Sequence, residues 1–377
     1  MNDSIRVLHV VPSLNRAAGV ARFVRNMEQY HDEKRVHYDF LHHSTRDGIY
    51  MHDRRYDEEL KASGCEVFTV NYASDDLRRF IREVREVFAR VGSTYDIVHC
   101  HMPNAAFCVL REAERCGVSN RILHSHLNNS SDQFLHRLRN MPLNAIGKKY
   151  TTDRIACSED AGRFLFGSKP FTVVNNGIPL DHFVFSSDAR ASLRAEFGIG
   201  ENDYVVGCVG RFVKQKNYPF AVAVFRQILN VAPDTRLVIL GDGADRTDLE
   251  RSIAEAGVAN QVILPGVRTD VDRFYSMFDV FLMPSLYEGL PVSAVEAQAA
   301  GLPCMYSDNV PRETDITGTG TFLSLDADID EWTKTLENAF NRGRLTDNPV
   351  LLEQRGYSAK ANAELLMQHY ERLMESK

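Results

Sequence analysis

The sequence has few cysteines, and their spacing excludes the usual cysteine-based sites. Its 377 residues include 7 cysteines, an odd number, and no two of them form a Cys-x-x-Cys pair. Most of them lie inside apolar runs, where buried, reduced thiols are expected. A disulfide scaffold and a cysteine zinc site are both disfavoured, so we expect a cytosolic protein with reduced thiols.

Long apolar segments and an excess of positive charge are also lacking. No segment approaches the roughly 18 apolar residues of a membrane span, and the N-terminal stretch MNDSIRVLHVVP has no basic region before its apolar run. We therefore expect neither a membrane-spanning helix nor a secretory signal peptide. The 44 basic and 51 acidic residues give a net charge of -7, which attracts neither nucleic acid nor anionic lipid in general. An anion site must then be local.

Short apolar runs alternate with amphipathic or turn-rich stretches, a pattern typical of α/β proteins. The first half contains the runs IRVLHVV, YDFLHH, CEVFTV, DIVHCH, RILHSH, RIAC and FTVVN, and the second half contains YVVGCVG, RLVILGDG, QVILPG, DVFLMPS and LPCMYS. These runs predict parallel strands buried on both faces. The stretch 75–91 has apolar residues at three- and four-residue steps and predicts a helix. Each half is predicted to be a doubly wound α/β unit.

The length of the chain predicts two domains, since one core usually stops growing below this size. Residues 175–194 contain Gly, Pro and small polar residues without clear periodicity, and we place the boundary there, near residue 180. The expected domains are 1–180 and 181–355. Residues 356–377 predict a final helix, which either closes the second domain or crosses back to the first. The sequence contains no internal repeat or low-complexity tract.

Two positive charges lie in a loop of the second half, within GRFVKQKNYPFAVAVF (210–225). Gly210 ends a predicted strand and residues 218–232 predict a helix, so Arg211 and Lys216 lie at the carboxyl end of a parallel strand. Open α/β sheets bind ligands at that edge. A rigid guanidinium and a mobile ammonium suit two linked phosphates. A solvated basic loop is the alternative.

The segment MPSLYEGLPVSAVEAQAAGLPC carries Glu288 and Glu296 with seven residues between them. Pro291 is a suitable first residue of a helix, and Gly301 is a suitable stop. The loop 288–290 would then lie at a helix N-terminus, where free backbone N–H groups favour phosphate or sugar oxygens. The alternative is an apolar helix flanked by two solvated glutamates.

Four stretches in this order and spacing resemble the retaining nucleotide-sugar glycosyltransferases of the GT-B class, the glycosyltransferase family 4-like, or group 1, enzymes. They are VGRFVKQKNYPFAVAVF, ILGDG, LPGVRTDV and PSLYEGLPVSAVEAQAAGLP. The resemblance covers most of the chain and is dense after residue 200. The last stretch is most similar to bacterial capsule and exopolysaccharide transferases that extend lipid-linked oligosaccharides. The resemblance implies two Rossmann-like domains facing across a cleft, with the acceptor bound by the first and the donor by the second.

The resemblance also implies roles for individual residues of the second half. Arg211 and Lys216 would bind the diphosphate of a nucleotide-sugar donor. Glu288 and the backbone of Gly289 and Leu290 would contact hydroxyls of the donor sugar. Together with a histidine of the first half, Arg211, Lys216 and Glu288 are the expected catalytic residues.

Three further donor contacts follow from the same resemblance. Glu296 would accept hydrogen bonds from the ribose hydroxyls, and Val267, after the LPG motif, would present its backbone to the base unless it lies in a plain βα turn. Near the first strand the family usually has a Gly-Gly pair, whereas this chain has Ala18-Gly19. The backbone near Gly19 can still approach phosphate, although Ala18 restricts positive φ.

Histidines follow two neighbouring strands of the first half. His124 and His126 point to one face because side chains alternate along a strand. The family often places a histidine in this region beside the donor sugar, and His126, nearer the carboxyl end, is the expected catalytic one. His101 and His124 are candidates for the acceptor side. Four histidines with Cys100 give a weak zinc signal, since no carboxylate or thiol pair accompanies them, and we expect no metal.

The resemblance thus implies a metal-independent, retaining glycosyltransferase of the EC 2.4 class without a cofactor. By the same resemblance, the donor would be a nucleoside-diphosphate sugar, with UDP favoured and GDP possible, and the acceptor would be a glycan hydroxyl, lipid-linked. We expect attack on the same face of the sugar, with the leaving phosphate taking the acceptor proton. A noncatalytic nucleotide-sugar-binding subunit and a GT-B epimerase are the alternatives. The basic amphipathic stretch 132–150 would either rest on the inner face of the plasma membrane or pack into the first domain.

Overall fold

The computed structural model describes residues 4–14, 19–46, 49–50, 54–126 and 134–375. The chain divides into two compact units, of which unit 1 comprises Met1–Gly177 with Ala359–Lys377 and unit 2 comprises Ile178–Ser358. The division after Gly177 lies close to the boundary near residue 180 that the sequence indicates. The final helix, which the sequence left open, belongs to unit 1.

Unit 1 is built on one eight-stranded sheet. Its strands are β1 (Ile5–Val11), β2 (Val36–Arg46), β3 (Ile49–Tyr50), β4 (Val67–Asn71), β5 (Ile97–Cys100), β6 (Asn120–Ser125), β7 (Asp153–Ala156) and β8 (Thr172–Val173). The order is β3-β2-β1-β5-β6-β7-β8, and β4 also pairs with β2. Only the β2–β3 pairing is antiparallel among the described strands. The order reverses between β1 and β5, which is where open α/β sheets bind ligands.

Unit 2 has a six-stranded, parallel sheet of order β11-β10-β9-β12-β13-β14. Its strands are β9 (Tyr204–Val209), β10 (Thr235–Leu240), β11 (Val262–Gly266), β12 (Val280–Met283), β13 (Cys304–Ser307) and β14 (Thr321–Leu323). The sequence predicted β9 to β13 but not β14, since its three residues are too few to show a pattern. The strand order of this sheet reverses between β9 and β12.

Helices cover both faces of each sheet. They are α1 (Gly19–Tyr30), α2 (Arg54–Ala62), α3 (Leu77–Val91), α4 (Ala106–Arg115), α5 (Phe134–Gly147) and α6 (Glu159–Phe166) in unit 1; α7 (Ser187–Glu196), α8 (Tyr218–Ile228), α9 (Arg246–Glu255), α10 (Val271–Met277), α11 (Val292–Ala299), α12 (Ile329–Arg342) and α13 (Asn348–Gln354) in unit 2; and α14 (Ala359–Glu375), which returns to unit 1. Leu8 of β1 packs in the cluster of α3 and α4, whereas Val7 packs in that of α1 and α14. Strands buried on both faces explain the continuous apolar runs.

The predicted helix of residues 75–91 begins slightly later, because Asp76 serves as its N-cap. The Asp76 carboxylate accepts a hydrogen bond from Arg79 N at 2.9 Å, so α3 starts at Leu77. Such a cap is worth about 1 kcal/mol. Phe80, Val84 and Phe88 form the buried stripe, as their spacing indicates.

The stretch 175–194 is not wholly irregular, since its end forms α7. The Ser186 hydroxyl caps this helix by accepting from Ala189 N at 3.2 Å. Two arginines of this helix form ion pairs with the Asp279 carboxylate, Arg190 at 2.6 Å and Arg194 at 2.9 Å. The helix was not predicted because only Ala189 and Leu193 of its apolar residues are buried, and polar anchors add to their packing.

The final helix α14 packs on α1 and completes the core of unit 1. Ala363, Leu366 and Tyr370 are fully buried there. At the surface the Arg35 guanidinium pairs with Glu364 and Glu371, each at 2.7 Å. Across the described part of the chain, no helix combines the length and apolarity needed to cross a membrane.

Candidate functional site

The carboxyl edge of the unit 2 sheet brings two predicted site segments together. Because β9 and β12 are neighbouring parallel strands, the loop 210–217 after β9 emerges beside the loop 284–290 after β12. Leu286 N donates to Gln215 O at 2.8 Å, and Gln215 Nε2 donates to Tyr287 O at 2.9 Å. The two loops are therefore held to each other by backbone contacts as well as by side chains.

Lys216 and Glu288, both predicted from the sequence, form an ion pair in this edge. Lys216 Nζ lies 2.7 Å from Glu288 Oε1, and their side chains are only 15% and 7% exposed. Gln215 Nε2 donates to the other carboxylate oxygen at 3.1 Å. Each charge therefore has a partner of opposite sign. This pairing matters because an unpaired charge in a partly buried position is unfavourable in free energy. A bound phosphate would have to share Lys216 with Glu288 or replace it.

Arg211 is the second predicted cation, and it is exposed at the start of the same loop. Among the described residues, none forms a hydrogen bond or ion pair with its guanidinium. Its planar fork is thus available for a bidentate contact with an anion. Arg211 and Lys216 lie at one sheet edge, as the sequence predicted.

A tyrosine hydroxyl that the sequence analysis missed lies beneath this loop. The Tyr218 hydroxyl is buried, and no described residue makes a hydrogen bond to it. A Cβ built on Gly210 would lie 2.9 Å from this hydroxyl and 3.0 Å from Lys216 Cε, so the three groups adjoin. Burial raises the pKa of Tyr218 well above its ordinary value, which keeps the group a neutral O–H. The YP pair after the loop was interpreted only as a helix start.

Two glycines of the ILGDG motif let the loops after β9 and β10 approach. Gly241 has φ of 138°, and a Cβ there would lie 2.0 Å from Gly210 O. A Cβ on Gly243 would lie 2.3 Å from Phe212 O. Since real Cβ atoms essentially never show contacts this short, both glycines are needed for the shape of the Arg211 loop.

The helix after the Glu288 loop begins one residue later than expected. Pro291 is its N-cap and α11 starts at Val292, while no side chain caps it. Ala294 N donates to Pro291 O at 3.0 Å, so the N–H groups of Val292 and Ser293 are those that need an acceptor, such as water or a ligand oxygen. Gly289 is exposed and Leu290 half-buried just before this terminus. Gly301, with φ of 72°, follows the helix end as predicted.

Glu296 lies on α11 in the interior, with 4% of its surface exposed. Tyr275 Oη donates to its Oε2 at 2.7 Å. Tyr275, which carries no sequence signal of a site residue, orients this carboxylate. Val267 follows β11 at the same edge of the sheet and is 79% exposed. The predicted contacts of Glu296 with ribose and of Val267 with the base stay predictions.

The histidines of unit 1 form a larger group than the sequence indicated. His9 of β1, which the sequence analysis passed over inside an apolar run, joins the four expected ones. His9 Nδ1 lies 2.9 Å from His101 Nε2, and His101 Nδ1 lies 2.8 Å from His126 Nε2. A second chain links the Tyr370 hydroxyl to His99 at 2.6 Å and His99 to His124 at 3.1 Å. We call these five imidazoles the histidine cluster.

Burial keeps the histidine cluster uncharged. It lowers the pKa of His9 to about 3 and holds the pKa values of His99, His101 and His124 well below the ordinary range, with neighbouring imidazoles adding to the effect. Burial also lowers the pKa of His126, against an opposing hydrogen-bond effect of Asn176. Neutral imidazoles are metal ligands, and two triads, His9-His99-His101 and His101-His124-His126, have ring nitrogens within 4.8 Å of one another. The expectation of a metal-free site stays a prediction.

The predicted unit 1 residues differ in their access to a ligand. His126 is half-buried at the end of β6, whereas His101 and His124 are only 3% and 0% exposed. An acceptor would meet His126 before either of them. Gly19 begins α1, and a Cβ built there meets no atom of the described residues within 4 Å; the adjoining Ala18 lies outside them. In the stretch 132–150, Met141 and Ile146 of α5 are exposed, and the side chains before residue 141 also lie outside the description.

Comparisons with known proteins agree with this architecture. A family model described as glycosyl transferases group 1 matches residues 189–350. A Bacillus subtilis protein named as a glycosyltransferase, EpsF, is 33% identical over 98% of this chain and 97% of its own length. An Escherichia coli enzyme named UDP-Gal:alpha-D-GlcNAc-diphosphoundecaprenol alpha-1,3-galactosyltransferase is 28% identical over 68% of each chain.

Solved structures with the same architecture confirm the predicted fold class. Anabaena HepE, solved in complex with UDP, has a TM-score of 0.72 at 16% identity, covering 99% of this chain and 100% of that one. Sucrose-phosphate synthase from Thermosynechococcus elongatus has a TM-score of 0.74 at 18% identity, with the same coverage. The fold is that of GT-B enzymes, with two Rossmann-like α/β units, and the near full-length similarity to a named glycosyltransferase confirms the family. The chain belongs to the group 1 glycosyltransferases.

Proposed function

We propose that this protein transfers a sugar from a nucleoside-diphosphate sugar to a glycan hydroxyl during the synthesis of a bacterial surface polysaccharide. The observation that carries the proposal is the pairing of Lys216 with Glu288 at 2.7 Å on the sheet edge that also bears Arg211. The ammonium of Lys216 suits a diphosphate, and the carboxylate of Glu288 suits sugar hydroxyls. A single ligand that carries a diphosphate and a sugar can therefore bind both side chains.

The cations would act on the leaving group. As the bond between the sugar and the diphosphate breaks, negative charge grows on the phosphate, and positive charge grows on the sugar ring. Arg211 and Lys216, with the free N–H groups at the start of α11, would stabilise the first charge in place of a metal ion. UDP is the favoured nucleotide, supported by the UDP complex of HepE and the UDP-Gal named for the Escherichia coli relative.

The stereochemical course in this proposal is retention. Glu288 is engaged by Lys216 and Gln215, and Glu296 is buried against Tyr275, so neither of these carboxylates is free to serve as a nucleophile. A two-step hydrolase-like mechanism needs a pair of carboxyl groups flanking the bond. Attack on the same face, with the departing phosphate taking the acceptor proton, fits this arrangement. His126 is the proposed contributor from unit 1.

The acceptor in this proposal is a glycan carried on a lipid. Its support is the diphosphoundecaprenol acceptor named for the Escherichia coli relative and the exposure of Met141 and Ile146 on α5. The protein would then work on the inner face of the plasma membrane without a span of its own. Replacing both exposed side chains by serine should leave donor hydrolysis unchanged and lower binding to anionic vesicles.

The central test measures nucleotide-sugar turnover by the Lys216→Ala variant. Removing this preorganised cation should lower the rate of donor hydrolysis or transfer roughly 10²–10³-fold. Lys214→Ala is the matched control, since Lys214 is exposed in the same loop and should be dispensable. UDP-, GDP- and ADP-sugars would first be screened by thermal shift, because a ligand of the native state raises its stability.

Three outcomes separate this proposal from its alternatives. Turnover that Lys216→Ala does not lower would contradict the assigned role. Donor binding without any turnover would identify a noncatalytic binding subunit. Conversion of the donor to an epimer without transfer would identify an epimerase, and NMR of the product would show which anomer forms.

A further inference from the structure

Three imidazoles of the histidine cluster lie together at the carboxyl ends of β5 and β6. His101 follows β5, His124 lies on β6 and His126 follows it. One ring nitrogen of each lies within 4.8 Å of those of the other two, and His101 Nδ1 is 2.8 Å from His126 Nε2. We call these three imidazoles the outer triad. The nitrogens of a tetrahedral zinc site lie about 3.3 Å apart, since each is about 2.0–2.1 Å from the ion, so small ring rotations suffice to hold one.

The hydrogen bonds of the outer triad reserve one nitrogen on two of its rings for partners outside it. His101 Nε2 lies 2.9 Å from His9 Nδ1, and His124 Nδ1 lies 3.1 Å from His99 Nε2. The other nitrogen of His124, Nε2, is buried, and no described residue makes a hydrogen bond to it. A metal-binding histidine almost always donates its second N–H to a partner, which fixes the ring. His9 and His99 are in position to accept these hydrogen bonds.

The other group of three rings, His9-His99-His101, suits an ion less well. Both nitrogens of His99 are engaged outside that group, Nδ1 with the Tyr370 hydroxyl at 2.6 Å and Nε2 with His124 at 3.1 Å. A metal bound there would break one of these hydrogen bonds, whereas in the outer triad it displaces a contact between two of the triad's own rings. The outer triad also has one half-buried ring, beside which an ion can enter, while all three rings of the other group are buried.

The ligands and surroundings of the outer triad suit a transition metal rather than magnesium or calcium. All three ligands are imidazole nitrogens, which suit zinc, copper and nickel, whereas Mg²⁺ and Ca²⁺ take oxygen ligands. The Phe23 ring of α1 packs against all three imidazoles, with centroid distances of 5.1 to 5.9 Å. An apolar neighbour of this kind limits the access of solvent. Three protein ligands leave the fourth position of a tetrahedral ion to one water molecule.

We propose that the outer triad binds one divalent transition-metal ion of the zinc type, through His101 Nδ1, His124 Nε2 and His126 Nε2. The ion joins the ends of β5 and β6 and fixes the His126 ring in place. The sequence signal for zinc was weak because spacing along two strands does not show whether the rings meet. In the proposed function the donor diphosphate binds to unit 2, so no step of sugar transfer runs through this ion.

Metal content tests the proposal directly. The purified protein, stripped with a chelator and dialysed against micromolar ZnCl₂, should retain about one zinc ion per chain by elemental analysis, and MgCl₂ should leave no bound magnesium. Loading with Co²⁺ instead should give the strong visible absorption of a four-coordinate ion rather than the weak bands of a six-coordinate one. A wild-type protein that retains no stoichiometric zinc would overturn the proposal.

One substitution in each group of three rings locates the ion. His124→Gln removes a ligand of the outer triad alone and should lower the affinity for zinc more than about 100-fold, beyond the loss usual when only a hydrogen-bond partner of a ligand is removed. His9→Gln alters only the other group. Its amide oxygen can still accept from His101 Nε2, so zinc should bind within about tenfold of the wild-type affinity. His182→Gln, at an exposed histidine of unit 2, is the control and should bind zinc as the wild type does.

Calorimetric titration of these variants with ZnCl₂ decides the assignment. Zinc binding that His124→Gln does not weaken, or that His9→Gln abolishes, would refute the outer triad as the site. If His124→Gln does not fold, His126→Gln removes the half-buried ligand instead. Nucleotide-sugar turnover enters none of these measurements. A protein that transfers sugar but retains no zinc would refute the metal site alone, and one that binds zinc but turns over no donor would refute only the proposed function.

Discussion

At the scale of single residues, Glu288 neutralises the ammonium that the proposed diphosphate needs. The Lys216–Glu288 distance of 2.7 Å means that an anionic ligand competes with a carboxylate that is already in place. A donor bearing both phosphate and sugar can satisfy both partners at once. A nucleotide without the sugar would free Glu288 and leave it without a new partner, which disfavours its binding.

This arrangement predicts that Glu288→Gln binds UDP more tightly than the wild type. Removing the competing charge should raise the affinity by several-fold to about tenfold, about 1 kcal/mol, while sugar transfer falls because the amide is a poorer acceptor for sugar hydroxyls. Calorimetric titration with UDP measures the first effect and turnover measures the second. Glu313→Gln, on an exposed glutamate of unit 2, is the control and should change neither. Weaker UDP binding by Glu288→Gln would show that the carboxylate does not compete.

Residue types and spacing were enough to predict that Arg211, Lys216 and Glu288 share a sheet edge, because motifs after parallel strands end at the same side. They did not predict the ion pair itself, since a contact between side chains 72 positions apart depends on the register of the two loops. His9 was missed because it interrupts an apolar run without changing the strand pattern. In the sequence, Tyr218 and Tyr275 resemble ordinary core aromatics. Only the positions of their hydroxyls in the structure distinguish them.

At the scale of elements, the loops after β9 and β10 fit only because Gly241 has no side chain. A Cβ there would lie 2.0 Å from Gly210 O, at the base of the Arg211 loop. We predict that Gly241→Ala displaces this loop, weakens UDP binding at least tenfold, and lowers the stability of unit 2 by about 2 kcal/mol or more. The fluorescence of Trp332, a unit 2 residue and the one tryptophan of the sequence, reports on unit 2 during denaturation.

The control for this prediction is Gly257→Ala. Gly257 also has a positive φ, 69°, but a Cβ there meets no atom within 4 Å. Its substitution should cost only the strain of the left-handed conformation, about 1–2 kcal/mol, and leave UDP binding intact. Equal effects of the two substitutions on UDP affinity would mean that the close approach is unimportant.

Most strands and the amphipathic helix α3 were predictable, since buried parallel strands and apolar stripes leave clear patterns. Helix α7 was not, because it buries only Ala189 and Leu193 of its apolar residues and adds to them a serine cap and two arginines bound to Asp279, 89 and 85 positions away in the chain. The sequence could not show which unit α14 packs against, for a similar reason. Its stripe of Ala363, Leu366 and Tyr370 specifies burial but not the surface against which it is buried.

At the scale of the whole molecule, the two units differ in their content of buried histidine. The histidine cluster of unit 1 has pKa values lowered by burial, for His9 to about 3, whereas the single histidine of unit 2, His182, is exposed. The unfolded state therefore binds more protons than the native state between about pH 6.5 and pH 3. The stability of unit 1 is complete above this window and is lost as the pH falls through it.

We predict that unit 1 unfolds on acidification before unit 2. Below about pH 5.5 each imidazole that stays neutral in the native state costs about 1.4 kcal/mol per pH unit, so a few such groups remove much of the stability of an ordinary domain. Hydrogen exchange by mass spectrometry from pH 7.5 to 4.5 should show unit 1 peptides losing protection while the Trp332 emission of unit 2 stays native. Simultaneous loss in both units would contradict this order.

The return of the C-terminal helix to the first unit has a consequence for biosynthesis. During translation, the segment up to Gly177 is made before α14, the helix that completes its core. About 180 further residues must be synthesised before α14 follows. At roughly 5–20 residues per second this delay is on the order of 10–40 s. The contiguous second unit is synthesised during that interval and is complete in sequence just before α14 is made. The unit whose synthesis begins first is thus the last to be complete in sequence, so its unfinished core is exposed for longest and is where a nascent-chain chaperone would bind.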